Sequence, residues 1–150
     1  MPHFETRRET YVAATPAAVH ATLNDFHTWN IWSPWEELDP SLERSFSGAE
    51  SGVGSHYAWV GNKKVGEGSM EITSSTPQQI NIDLEFLKPF KASNKTTFEL
   101  HPQGDGTRVV WAMSGERNLA FAVMGKLFFD NAIAKDFDKG LAKLKASLES

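Results

Sequence analysis

Ile133-Ala134-Lys135-Asp136-Phe137-Asp138-Lys139-Gly140-Leu141-Ala142-Lys143-Leu144-Lys145-Ala146-Ser147-Leu148-Glu149 decides how the rest of the chain must be arranged. Ile133, Phe137, Leu141, Leu144 and Leu148 recur at steps of four, four, three and four, which draws one apolar stripe along an α-helix. Lys135, Asp136, Asp138, Lys139, Lys143, Lys145 and Glu149 fill the turns between. Phe121, Met124 and Phe128 keep the same rhythm upstream, so the spacing predicts a helix from Leu119 to Glu149. Such a helix is about 45 Å long at roughly 1.5 Å per residue. An amphipathic helix of that length must bury its stripe, and the remaining sequence offers only a sheet to bury it against.

The strands are legible from alternation and punctuation. Phe4 to Ala14 reads as a first strand, ended by Thr15-Pro16, with Thr15 a helix N-cap and Pro16 in the first helical position. A helix from Ala17 to about Asn24 follows, then a second short helix or turn from Asp25 to Ile31 that Ser33-Pro34 halts. Gly48 to Gly54 is a glycine-rich connection, and Gly61-Asn62 divides a strand at His56–Val60 from one at Lys64–Ser74. Gln79 to Leu87 sets Ile80, Ile82, Leu84 and Phe86 against Asn81, Asp83 and Glu85, the period of two that marks a strand with one apolar face. Ala92 to His101 and Thr107 to Gly115 flank Gln103-Gly104-Asp105-Gly106, a hairpin signal through its Asp-Gly pair. The order is strand, two short helices, about six antiparallel strands, long helix: one α+β domain over residues 1–150, with no internal repeat or linker.

Composition removes several classes of function. A net charge of −4 with scattered Lys and Arg gives no basic stripe for nucleic acid. Cysteine is absent, so disulfides, thiolate nucleophiles and Cys-ligated metals are excluded. His3, His20, His27, His56 and His101 show no metal-ligand spacing, and neither a metal nor a cofactor is expected. No run approaches the length of a membrane span, and Met1 to Thr15 lacks the apolar core of a signal peptide, which sets the expectation of a cytoplasmic protein. The loop Gly48–Gly54 lacks both the P-loop spacing and the Gly-Lys-Ser/Thr that follows it.

Several stretches together resemble the START-like (SRPBCC) superfamily, in particular its bacterial polyketide cyclase/dehydrase-type branch. They are Trp29-Asn30-Ile31-Trp32-Ser33-Pro34-Trp35, Tyr57-Ala58-Trp59, Gly66-Glu67-Gly68-Ser69-Met70, Leu84-Glu85-Phe86-Leu87-Lys88-Pro89-Phe90, Gly106 to Met113, and Lys135 to Leu141. The resemblance covers essentially the whole chain. It implies a helix-grip fold, in which a curved antiparallel sheet of about seven strands wraps a long C-terminal helix and leaves an apolar cavity between them. It further implies a small hydrophobic guest such as a lipid, polyketide or aromatic molecule. In some members the loop equivalent to Gly48–Gly54 flanks the cavity entrance, so mobility is expected there. Fold alone does not fix function.

Alternation places the candidate lining of that cavity at Trp59, Met70, Phe86, Trp111, Met113, Phe121, Phe128 and Phe137. Against this stands the plainer reading that each of them packs as core. Trp29 and Trp32, three apart on one side of a helical turn, are read as a plug between the short helices and the sheet. His56, Glu67, Asp83 and Arg117 are the polar groups to consider for the cavity. Glu67 and Asp83 have the parity of a solvent-facing side chain, and only a register shift of one residue would turn either inward as a general acid or base. Arg117 falls where the last strand hands over to the helix, where a solvated turn is the plainer reading and an encounter with a ligand carboxylate the functional one. Three functions follow. The first is a carrier or sensor of a hydrophobic small molecule, as monomer or weak homodimer. The second is a cyclase or dehydratase working by acid–base chemistry without metal. The third is an interaction module like the START-like domains that bind a heat-shock chaperone.

Overall fold

The computed structural model describes residues 3–33, 43–61, 66–88, 92–116 and 126–149. Strand β1 (His3–Val12) leads into helix α1 (Pro16–Leu23) and a 3-10 turn at Phe26–Ile31. Six strands follow: β2 (Glu43–Gly48), β3 (Ser55–Val60), β4 (Glu67–Thr76), β5 (Gln79–Lys88), β6 (Ala92–Gln103) and β7 (Gly106–Glu116). Helix α2 (Lys126–Glu149) closes the described chain. All seven strands form one antiparallel sheet in the order β1-β7-β6-β5-β4-β3-β2, a meander whose last strand pairs with the first. This is the helix-grip architecture. The stretch 119–125, expected to extend α2 upstream, lies outside the described residues.

Local chemistry explains the boundaries. Thr15 caps α1 by accepting a hydrogen bond from the Ala18 N–H at 3.2 Å, with Pro16 in the first turn where its missing donor costs nothing. β1 stops at Val12, two residues before the expected end, because the Ala13 N–H donates to Glu149 on α2 at 2.8 Å instead of to a strand. The β6–β7 hairpin turns on Gly104-Asp105, flanked by the pair Gln103↔Gly106. Gly104 has φ +58° and, among the described residues, none other than glycine has positive φ, which is the type II′ pattern with glycine first. The turn therefore uses the Gly-Asp step, one residue ahead of the Asp-Gly pair that signalled it.

Register divides the sheet into two faces. Tyr57 pairs with Met70, Met70 with Leu84 and Leu84 with Asn94, so these side chains share the inner face. Phe98, Trp111 and Arg8 form another inner row. On this face Ile72, Ile80, Ile82, Phe98, Leu100 and Val109 are sealed from solvent. α2 turns its stripe onto the same face: Phe137, Leu141 and Leu144 are buried and Leu148 packs against the core. Only the backbone of Ile133 falls among the described residues. At about 25 cal/mol per Å² of apolar surface, each such Leu or Phe contributes roughly 1.5–3 kcal/mol.

Polar stitches hold α2 to β1. Arg8 donates two hydrogen bonds to Asp138, both at 2.8 Å. The Lys145 ammonium reaches the Tyr11 carbonyl at 2.9 Å and the Glu149 carboxylate at 2.6 Å. These groups are solvated, so they fix the helix's angle more than they add stability.

The loop Gly48–Gly54 is tied down. Gly52 N–H donates to the Asn24 carbonyl at 2.9 Å and Gly54 N–H to the Ile72 carbonyl at 2.9 Å, with Ser55 N–H closing on Gly52 at 3.0 Å. It sits against the C-terminus of α1, at the opposite end of β3 from Trp59.

Candidate functional site

The inner face has a closed half and an open half. In the closed half the Trp111 ring lies flat on Phe137, with centroids 3.8 Å apart and planes 7° from parallel. Phe98 stacks on its other neighbourhood at 5.2 Å, and Trp32 meets it edge-on at 5.3 Å. Trp29 contacts Trp32 at 4.7 Å, and both are buried, so the pair does plug the core where the short helices meet the sheet. Trp35 lies outside the described residues. Trp111 and Phe137 thus pack on each other as core. Met113 is also buried, one inner position along β7 from Trp111.

The open half lies at the other end of the strands. Trp59, Met70 and Phe86 face inward but are only partly buried. Trp59 meets Phe86 edge-on at 6.0 Å and Tyr57 at 6.2 Å. Gly68 makes this possible. It pairs with Trp59 across β3–β4 and with Phe86 across β4–β5, and a Cβ there would come 2.7 Å from the indole and 2.3 Å from the Glu85 carbonyl. The indole lies over a strand position that only hydrogen can occupy. Phe128 takes its place in the first turn of α2, its side chain outside the description, and Phe121 lies outside the described residues altogether.

Among the polar candidates, Glu67 and Asp83 keep the solvent-facing parity read from the sequence, and His56 requires a correction. His56 pairs with Glu71 and Glu71 with Asp83, all one step out of phase with Tyr57, Met70 and Leu84, so His56 and Asp83 belong to the outer face. Glu67 pairs with Val60, opposite in parity to the Trp59–Gly68 pair, and is likewise outer. Asp83 there meets Lys95, and His56 meets Ser47. For His56 and Asp83 the physical cause is the strict period of two, since no bulge falls between Gly68 and Ile72 to reverse it; a register shift does fall between Glu67 and Gly68, and Glu67 takes its facing from its pair with Val60 on β3. Arg117 lies outside the described residues.

The polar groups on the inner face are others. Among the residues whose side chains are described, the strand carboxylates occupy outer positions, whereas inner positions carry Arg8 and Arg44. Arg44 pairs with Trp59 on the edge strand β2 and hydrogen-bonds the Tyr57 phenol. Burial pushes the Tyr57 hydroxyl above its usual pKa, and the Arg44 charge and hydrogen bond partly offset this. Asn94, 5% exposed, has a side-chain oxygen with no hydrogen-bond partner among the described residues, and the same holds for the indole N–H of Trp32. Sequence reasoning missed Arg44 because β2 is exposed along its whole length and shows no alternation. Counting back through the hairpin from Gly48↔Ser55 would have found it.

A second serine–histidine contact joins α1 to β4. His20 Nε2 lies 3.0 Å from Ser75 Oγ, but the Ser75 hydroxyl donates to Asn24 at 2.6 Å. The serine's single proton is thus committed to the amide, and the chain clamps α1 to β4 instead of activating a nucleophile. No group of three metal-ligating side chains occurs among the described residues.

Comparison with known proteins agrees with this architecture. Residues 3–149 match the family described as "Polyketide cyclase / dehydrase and lipid transport". The chain belongs to that family. Its fold is shared with protein CV1439 from Chromobacterium violaceum, at a TM-score of 0.71 and 14% identity over 97% of both chains. It is shared with Aha1 from Colwellia psychrerythraea, solved as a dimer, at 0.71 and 17% over 97% of this chain and 96% of that one. It also matches the di-domain ARO/CYC StfQ from the steffimycin biosynthetic pathway, at 0.72 and 10% identity, covering 99% of this chain and 51% of that one. No curated protein matches the sequence. Among the described residues, no helix is long and apolar enough to cross a membrane.

Proposed function

We propose that this family member binds a small hydrophobic molecule of the lipid or polyketide class against the open half of its inner face, as a carrier or sensor. One observation carries the reading: Trp59, Met70 and Phe86 stand side by side, inward-facing and partly exposed, while Ile72, Ile80, Ile82, Phe98, Leu100 and Val109 on the same face are sealed. A solvated cluster of two aromatic rings and a methionine costs hydration free energy that a guest recovers, and methionine adapts its shape to different guests. Native mass spectrometry of protein purified without denaturant tests this, together with displacement of an environment-sensitive naphthalene dye. Absence of any co-purified mass, combined with no dye binding at millimolar concentration, would sink it.

A second reading, a cyclase or dehydratase, has StfQ among its structural neighbours and the Tyr57 phenol beside Arg44 in its favour. With the strand carboxylates on the outer face, acid–base work would fall to that phenol, whose raised pKa suits a proton donor and not a base. Turnover of an aromatic polyketide mimic that Tyr57→Phe abolishes would establish it. Oligomeric state, for which we propose a monomer or weak homodimer, is read by light scattering across a concentration series.

A further inference from the structure

The Trp32 indole N–H and the Asn94 side-chain oxygen are both sealed from solvent without a hydrogen-bond partner among the described residues, but their surroundings differ. Trp32 stands nearly perpendicular to Phe98 and to Trp111, with centroids 5.8 and 5.3 Å away, and an indole N–H can rest on a ring face. The Asn94 oxygen has no such recourse, because a ring face is itself negative. Most buried acceptors have a donor, and one without it lowers stability. Asn94 lies in the inner row Tyr57, Met70, Leu84, Asn94 and Gly115. The next row toward the open end carries Trp59, Gly68 and Phe86, and Phe86 pairs with Ala92, one inner position from Asn94 on β6. The unmet acceptor thus stands in line with Met70 and diagonal to Phe86, beside the partly exposed cluster. On the β7 side its neighbour is Gly115, half-buried and without a side chain to lay over the amide.

Resting on the cleft reading above, we propose that Asn94 determines which guest is held: it accepts a hydrogen bond from a neutral hydroxyl, phenol or alcohol, on a molecule whose apolar body lies on Met70 and Phe86. The acceptor calls for a donor. An ammonium would supply one, but the strand side chains described on this face include no carboxylate to neutralise it, and an unpaired buried charge costs far more than an unpaired dipole. A ketone or a carboxylate brings a second acceptor and repeats the defect. A hydroxyl donates its proton and stays uncharged. The empty protein then carries the unmet acceptor and the loaded protein does not. Removing the amide should therefore spare the empty fold and weaken the complex, whereas an amide with a purely structural role would show the reverse.

The test uses 2-naphthol and 2-methoxynaphthalene, which share their rings and differ in the O–H. Each is measured by equilibrium dialysis against wild type, Asn94→Leu and Asn94→Ala, and the ratio of the two affinities is read in every variant that keeps at least the wild-type melting temperature. That ratio should fall by about threefold to tenfold on loss of the amide, the size of one neutral hydrogen bond, through weaker binding of 2-naphthol. A ratio that stays within about twofold of the wild-type one overturns the assignment of Asn94 and leaves the cleft reading standing. So does loss of both probes together, which would make Asn94 a wall and not an acceptor. A lowered melting temperature in both empty variants marks a structural amide and overturns the assignment in the same way. Failure of both probes to bind wild type overturns the cleft reading and this inference with it.

Discussion

Truncating Trp111 and truncating Phe86 should have very different consequences, although both are large inward-facing aromatics on one sheet. Trp111 is 2% exposed and stacked on Phe137 at 3.8 Å. A tryptophan buries up to about 250 Å², which at roughly 25 cal/mol per Å² amounts to about 6 kcal/mol as an upper bound. Aromatic-to-alanine changes in packed cores cost about 3–5 kcal/mol, so Trp111→Ala is expected near the top of that range. For a chain of this size that is a fall in Tm of roughly 10–20 °C. Phe86 is only partly buried, so Phe86→Ala should cost about 1–2 kcal/mol, in proportion to the area it covers. The assay is urea denaturation followed by far-ultraviolet circular dichroism, with midpoints compared at constant slope. The same variants are then titrated with 2-naphthol: Phe86→Ala should weaken binding, and Trp111→Phe, which keeps a ring in the stack, should not. A Phe86→Ala penalty equal to that of Trp111→Ala, or a Trp111→Ala penalty below about 1 kcal/mol, would refute the division into closed and open halves.

Three other outcomes are expected. Asn94→Leu should raise stability in the empty protein by about 1 kcal/mol, since it removes a buried acceptor without a partner among the described residues; chemical denaturation reads this, and a loss above about 2 kcal/mol contradicts it. Gly68→Ala should destabilise by about 2 kcal/mol and shift the Trp59 emission, because the new methyl would meet the Glu85 carbonyl and the indole; an unchanged spectrum and melting curve would refute the close approach. Glu99 is held below the ordinary carboxylate value of 4.5, first by its hydrogen bond from Arg7 and then by that from His101. A depressed carboxylate stabilises the fold above its unfolded pKa and loses that contribution as pH falls through the folded one, so Glu99→Gln should flatten the stability profile below about pH 4.5 and leave its slope near neutrality unchanged.

Much of the architecture is readable from spacing. The α2 stripe and the alternation of β5 each depend on a period that burial of one face enforces, and Thr15-Pro16 depends on local capping chemistry. Trp29 and Trp32 were readable for the same reason. What periodicity does not report is what lies opposite an inward side chain. Trp111 and Trp59 have the same inward parity, yet one meets Phe137 ring to ring and the other spreads over Gly68 toward solvent. His56, Glu67 and Asp83 drew attention because they titrate, but parity outranks chemistry: the ladder has no bulge between Gly68 and Ile72, and Glu67, on the far side of a register shift, is outer through its pair with Val60. Arg44 escaped for the opposite reason: a strand exposed on both sides carries no alternation, and its facing comes only from its partner. The hairpin signalled by Asp105-Gly106 turns one residue earlier, on Gly104-Asp105, since glycine and aspartate both tolerate central turn positions.

Among the described strands, β2 has a single hydrogen-bonded neighbour, β3, and ends the sheet. A strand secured along one side opens at a lower free-energy cost than one held on both, and the aromatic stack at the far end takes no part in that opening. Amide protons of Glu43–Gly48 should therefore exchange ahead of the interior strands. Entry and departure at the open half can follow the fraying of this one ribbon, leaving the rest of the molecule shut.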